Sequence, residues 1–115
     1  MSNYIMLLVE DDALQRESLS GLLRDEGFEV VECATAEAAE LIVASSGTEL
    51  RALVTDNILA GRMTGAELAS FAHQRHPNLD IVVTSGRRVT APLPARAIFL
   101  SKPFPPRRLL EALAA

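Results

Sequence analysis

The chain reads as an α/β protein, a single five-stranded parallel sheet with helices on both faces. Three observations predict this. Short apolar runs alternate with segments whose apolar residues recur near helical spacing, and the alternation repeats along all 115 residues. The run Ile5-Met6-Leu7-Leu8-Val9 is apolar without interruption, which suits a central strand covered on both faces. The apolar runs also end on chemically complementary residues. Glu10-Asp11-Asp12 follows the first, Asp56 follows Leu53-Val54-Thr55, Thr84-Ser85-Gly86 follows Ile81-Val82-Val83, and Ser101-Lys102-Pro103 follows Ala97-Ile98-Phe99-Leu100. In a parallel sheet these ends share one edge, where open α/β folds bind ligands.

The first strand is expected over residues 4–9 and the first helix over about 13–25, with Leu14, Leu19, Leu22 and Leu23 as its apolar face. Asp12 with Gln15 resembles a capping box, and Gly27 is a stop signal. The second strand covers 28–33, and Glu29 and Glu32 mark it as a more exposed edge. Thr35 caps a second helix that is expected to bury Ala38, Leu41 and Ile42 and to fray into Ser45-Ser46-Gly47. The third strand is 52–55. A loop over 57–63 precedes Thr64-Gly65-Ala66-Glu67, a capping box that opens a third helix. Leu68 and Phe71 point inward there, and the helix stops before Pro77. Strands four and five are expected at 81–83 and 97–100. The segment between them holds Pro92 and Pro94 and has no clean period, so no full helix is expected. Pro105 and Pro106 open a last helix, where proline is tolerated, and Leu109, Leu110 and Leu113 supply its inner face.

Bulk properties fit one domain over residues 1–115, with 49% hydrophobic and 23% charged residues, as in ordinary globular chains. The apolar run near the start is far too short to span a bilayer, and no basic segment precedes it as in a signal peptide. No membrane association is expected. Cys33 stands alone, which excludes an internal disulfide; it is expected to be buried and inert, and it fits a reducing, cytoplasmic compartment. The net charge of −4 argues against general nucleic-acid binding. That charge is uneven: residues 1–60 carry 3 Lys/Arg against 12 Asp/Glu, and residues 61–115 carry 8 against 3. Arg87, Arg88, Arg96, Arg107 and Arg108 read as a solvated basic face, and His73 and His76 as cations suited to a helix end.

If the first and third strands are neighbours, Glu10, Asp11 and Asp56 converge. Unneutralised, their charges repel and ionisation is suppressed. A hard divalent cation removes that conflict. Mg²⁺ takes oxygen ligands and keeps positions open for water or phosphate oxygens, whereas no Cys/His set has zinc spacing. Acids at a helix start are also favoured by the macrodipole. The other strand ends tip the balance towards a site. Asp56 is the natural nucleophile, since a carboxylate attacking phosphorus forms an acyl phosphate. Thr84 is placed to donate a hydrogen bond to a phosphoryl oxygen, and Lys102 to neutralise another.

Five stretches carry a family resemblance over essentially the whole chain. They are Leu7-Leu8-Val9-Glu10-Asp11-Asp12, Leu53-Val54-Thr55-Asp56, Met63-Thr64-Gly65, Val82-Val83-Thr84-Ser85-Gly86 and Phe99-Leu100-Ser101-Lys102-Pro103-Phe104. The chain resembles a response-regulator receiver domain, with the doubly wound flavodoxin/CheY-like fold. The resemblance implies the strand order 2-1-3-4-5. It implies that Glu10, Asp11, Asp56 and the backbone carbonyl of Ile58 hold Mg²⁺. It implies that Asp56 accepts a phosphoryl group from a partner histidine kinase or histidine phosphotransfer protein. Thr84 and Lys102 become the catalytic groups, Thr84 and Phe99 the switch pair, and the Lys102–Pro103 peptide is expected cis.

The chain departs from the family pattern at Ala60, where proline is usual, and in a loop from Asp56 to Gly65 one residue longer than the commonest. Only 14 residues separate Thr84 from Phe99, so the fourth helix of the family is expected to be short or absent. The function expected is that of a phosphorylation switch, catalysing only its own phosphorylation and slow dephosphorylation. Its partners are the phosphodonor protein and an unidentified downstream protein, with a weak homodimer as one implied assembly. No output domain is legible in 115 residues, so the chain reads as a stand-alone regulator or as a receiver cut from a larger protein. Two alternatives compete. A pseudo-receiver that binds partners without phosphorylation is disfavoured by the intact acids, Thr84 and Lys102. A flavodoxin-like redox protein is disfavoured because no glycine- or hydroxyl-rich phosphate loop follows the first strand.

Overall fold

The central strand, β1 (Ile5–Val9), is buried along nearly its whole length because both of its faces carry apolar side chains and both are covered. The computed structural model describes residues 5–46 and 49–114; Tyr4 and Gly47, assigned above to the first strand and to the fraying end of the second helix, lie outside them. The chain continues with α1 (Ala13–Asp25), β2 (Glu29–Cys33), α2 (Ala36–Ser46), β3 (Leu50–Asp56), α3 (Gly65–Arg75), β4 (Asp80–Ser85), β5 (Ile98–Ser101) and α4 (Pro106–Ala114). The sheet has the order β2-β1-β3-β4-β5 with every pairing parallel, as the resemblance implied.

Successive residues of β1 feed two separate cores. Leu7 and Val9 join Leu53, Ile81 and Val83 beneath α2 and α3, with Val43 and Leu68 from the helices. Met6 and Leu8 join Val54, Val82 and Leu100 beneath α1 and α4, with Leu23, Leu109 and Leu113. The period of two along each strand therefore divides one apolar run between two layers.

The helix ends follow their local chemistry. Asp12 caps α1 by accepting from the Gln15 N–H at 2.9 Å. Its box is not closed by Gln15, because the Asp12 N–H donates to Glu10 Oε2 instead and the Gln15 side chain is engaged elsewhere. Thr35 Oγ1 accepts from the Ala38 N–H at the start of α2, and Thr64 with Glu67 forms the complete reciprocal box of α3. Gly27 ends α1 with φ +94°, a conformation that favours glycine.

Two expectations about helix faces are corrected. Leu14 is 79% exposed and lies off the inner face of α1. In α2 the buried row is Ala36, Ala39 and Val43; Ile42 is half-buried, while Ala38 is exposed and Leu41 is 71% exposed. Seven of the eleven residues in α2 are apolar or alanine, so periodicity alone left the phase open, and packing against α3 and the sheet set it. The segment between β4 and β5 contains no helix. Leu93 and Ala97 from this loop pack onto the α2–α3 core in place of one and help keep Ile81 and Val83 buried.

Candidate functional site

The register brings the strand ends together. Val9 of β1 pairs with Thr55 of β3, so Glu10 and Asp56 leave the central strands side by side. Asp56 pairs with Thr84 of β4, and Ser85 pairs with Ser101 of β5, one residue before Lys102. A cleft of about 430 Å³ opens over this edge, with Glu10, Asp11, Asp56, Ile58, Gly86 and Lys102 on its walls.

Glu10 is only 2% exposed. Its Oε1 accepts from Lys102 Nζ at 3.0 Å, its Oε2 from the Asp12 N–H at 3.2 Å, and its carbonyl from Arg16 at 2.8 Å. Burial pushes its carboxyl above the ordinary value and the nearby Asp56 charge adds to that, while the bonds from Lys102 and Asp12 oppose the shift. Asp11 is exposed and accepts from the Ala60 N–H at 3.2 Å, which ties the acidic corner to the loop after β3. Asp56 Oδ2 accepts from Lys102 Nζ at 3.2 Å. Lys102 Nζ has a third acceptor, Gln15 Oε1 at 2.7 Å. Burial pulls the ammonium down, but the hydrogen bonds and charges of Glu10 and Asp56 outweigh it and hold Lys102 above its ordinary value.

The loop behind Asp56 is pinned on both sides. Asn57 donates its backbone N–H to the Thr84 carbonyl and accepts from the Gly65 and Ala66 N–H groups, so α3 begins directly against the end of β3. A Cβ at Gly65 would collide with the Asp56 carbonyl, which explains glycine there. Glu37 Oε2, from α2, accepts from the Arg62 and Met63 N–H groups, each at 2.9 Å. Gly61 takes φ +98° beneath that carboxylate, and a Cβ there would stand 2.8 Å from Glu37 Oε1.

Among the residues singled out from the sequence, Glu10, Asp11, Asp56 and Lys102 are brought together. Ile58 is exposed on the cleft wall. Thr84 is buried beside Asp56, and Ser85 rather than Thr84 lines the cleft. Phe99 is 39% exposed on the edge strand and pairs in register with Val83, not Thr84. The Lys102–Pro103 peptide is cis, as expected. The sequence reading missed Gln15 as a member of the site, having taken it only as a cap. Its place in the first turn of a helix that starts at the sheet's carboxyl edge was the available signal.

Glu10, Asp11 and Asp56 each offer an oxygen, and these atoms lie within 4.8 Å of one another. An all-oxygen set with a partial shell fits Mg²⁺ and leaves room for phosphate oxygens. His73 and His76 take no part: His76 contacts the Val43 carbonyl from the far end of α3. Among the described residues, no helix is long and apolar enough to cross a membrane.

A parallel sheet of this order, with acids on two central strand ends and a lysine on the fifth, defines the class of CheY-like receivers. The chain belongs to the response regulator receiver domain family, whose pattern it matches over residues 6–114. It is 35% identical over 114 residues to the response regulator protein FleR of Pseudomonas aeruginosa, covering 95% of this chain and 24% of that protein. It is 32% identical to nodulation protein W of Bradyrhizobium diazoefficiens, covering 96% of this chain and 50% of that one. The chain therefore spans about a quarter of the first of these relatives and half of the second. Among solved structures, a response regulator receiver protein from Sinorhizobium medicae superposes with a TM-score of 0.89 at 27% identity, covering 96% of this chain and 91% of that one. The receiver domain of the hybrid histidine kinase CckA superposes at 0.80 with 30% identity, covering 96% and 95%.

Proposed function

We propose that this receiver is a phosphorylation switch in which Asp56 takes a phosphoryl group from the phosphohistidine of a partner kinase or phosphotransfer protein. One observation carries the reading: three carboxylates and an ammonium converge at the sheet's carboxyl edge, around the one strand-end acid that faces Lys102 directly from β3. An Asp56 Oδ attacks phosphorus, the N–P bond breaks, and the imidazole leaves with the electron pair and takes up a proton. Lys102 holds a phosphoryl oxygen through its ammonium, and Thr84 donates its hydroxyl hydrogen to another. Glu10, Asp11, Asp56 and the Ile58 carbonyl would hold Mg²⁺, which when bound supplies charge neutralisation to the phosphoryl oxygens.

The domain catalyses its own modification and its own slow hydrolysis, not the turnover of a separate substrate. The switch is read through Thr84 and the half-exposed Phe99, by a protein partner at the β4–β5 side of the sheet. The compartment proposed is the cytoplasm, in keeping with the buried free thiol of Cys33. Intact mass after incubation with a small phosphodonor tests the reading: a phosphoryl adduct is expected with Mg²⁺ and not without it. Asp56→Asn is expected to abolish the adduct, because an amide is not a competent nucleophile, and Asp11→Asn to slow its formation. A Mg²⁺-dependent adduct that persists on Asp56→Asn removes the assignment.

A further inference from the structure

An ammonium has three N–H donors, and those of Lys102 have three acceptors: Glu10 Oε1 at 3.0 Å, Asp56 Oδ2 at 3.2 Å and Gln15 Oε1 at 2.7 Å. The shortest of the three goes to the one neutral group. Because an ammonium only donates, the Gln15 oxygen and not its nitrogen must face it. Gln15 is fixed from behind, since its backbone N–H donates to the capping Asp12 at 2.9 Å. The two carboxylates that hold Lys102 are also two of the three that converge as a divalent-cation set. In the resting state, therefore, Lys102 and a cation compete for Glu10 and Asp56.

We propose that Gln15 is a positioning residue that gives Lys102 an uncharged acceptor, drawing its ammonium off Asp56 so that Glu10 and Asp56 are released to a divalent cation. This rests on the phosphorylation reading of the same site. Without the Gln15 oxygen, the ammonium retains only carboxylate partners and settles closer between them. The carboxylates then part from it less readily. Gln15 is exposed, and the cap of α1 uses its backbone and not its side chain, so replacing the side chain leaves the helix start intact.

The test uses Gln15→Met, which keeps length and loses the acceptor, and Gln15→Glu, which keeps an acceptor oxygen. Two quantities are read without any phosphodonor: Mg²⁺ affinity by calorimetry, and the ¹H–¹⁵N signal of the Lys102 ammonium, visible only while its protons are held. For Gln15→Met, Mg²⁺ affinity is expected to fall about tenfold, the lower end of what losing an outer-shell partner costs. The resting ammonium signal is expected to shift and, in the Mg²⁺-loaded protein, to disappear. Gln15→Glu, whose third acceptor is again a carboxylate, is expected to restore the resting ammonium signal only. Unchanged affinity and an unchanged ammonium signal in Gln15→Met would overturn the inference alone. A wild-type protein that binds no Mg²⁺ overturns the proposed function and this inference with it.

Discussion

In the proposed switch, Asp56 is the residue modified, and its neighbours set how long the modification lasts. Hydrolysis of an acyl phosphate needs a water held in line with the phosphoryl group. By analogy with the family, the two positions on the cleft wall that would orient this water are Ile58, which is exposed but has no polar side-chain atom, and Gly86, which has no side chain. Slow self-dephosphorylation is expected, with Ile58→Asn decaying faster; wild-type decay within seconds, followed by intact mass, would contradict this. Glu37 acts at the same scale. The Met63 N–H foremost, then its own backbone N–H and that of Arg62, hold its carboxyl below the ordinary glutamate range. A folded-state value below the unfolded one means that the stabilisation is present above the unfolded value and is lost as pH falls through the folded one. The Arg62 and Met63 amide shifts are therefore expected to titrate together, with a midpoint below that of an exposed glutamate. A midpoint at the ordinary value would show that the carboxylate does not hold the loop.

At the scale of elements, the unusual feature is the connection from β4 to β5. Two prolines in about ten residues, each costing a helix interior roughly 3 kcal/mol, leave no helix there, and Leu93 and Ala97 are what this segment adds to the core beside α3. Arg87 and Arg88 flank this loop and form no ion pair among the described residues, while Arg96 reaches Asp80 at 3.5 Å. A partner that reads phosphorylation has no fourth helix to grip, so it is expected to contact the loop together with α4 or α1. Amide exchange over residues 86–98 is expected to be fast in the unmodified protein and to slow with a phosphoryl mimic. Protection typical of three helical turns before modification, or identical exchange in both states, would sink this expectation.

At the scale of the whole molecule, stability resides in the two cores on either side of the sheet. Leu109 is fully buried and anchors α4 to the strands, so Leu109→Ala is expected to cost about 2–5 kcal/mol in urea unfolding. Leu14→Ala and Leu41→Ala, at the two exposed leucines, are expected to stay within about 0.5 kcal/mol. A large loss at either exposed leucine would place it in a packed surface that the fold does not show. The acidic first half and the basic second half take opposite ends of the sheet, since β2, β1 and β3 lie together and β4 and β5 follow them beyond β3.

Much of this molecule was legible in the order of its residues. Unbroken apolar runs, paired capping residues and prolines act locally, through backbone geometry and burial, so the five strands, the four helices and the missing fifth were readable from neighbours in sequence. The acids and the lysine were readable as a set because parallel strands put their carboxyl ends on one edge. Other features depended on contacts between residues far apart. Which row of α2 is buried was set by α3 and the sheet, because the alanines together with Leu41, Ile42 and Val43 left its phase open. Gln15 looked like a cap until β5 brought Lys102 to within 2.7 Å of it. Glu37 carried no signal in the sequence; its role appears only where the loop after β3 folds its backbone N–H groups onto it. Sequence by itself determined the elements and the chemical kinds of the site residues. Only the tertiary structure decided which polar groups share a proton donor, because that depends on distances between chain segments dozens of residues apart.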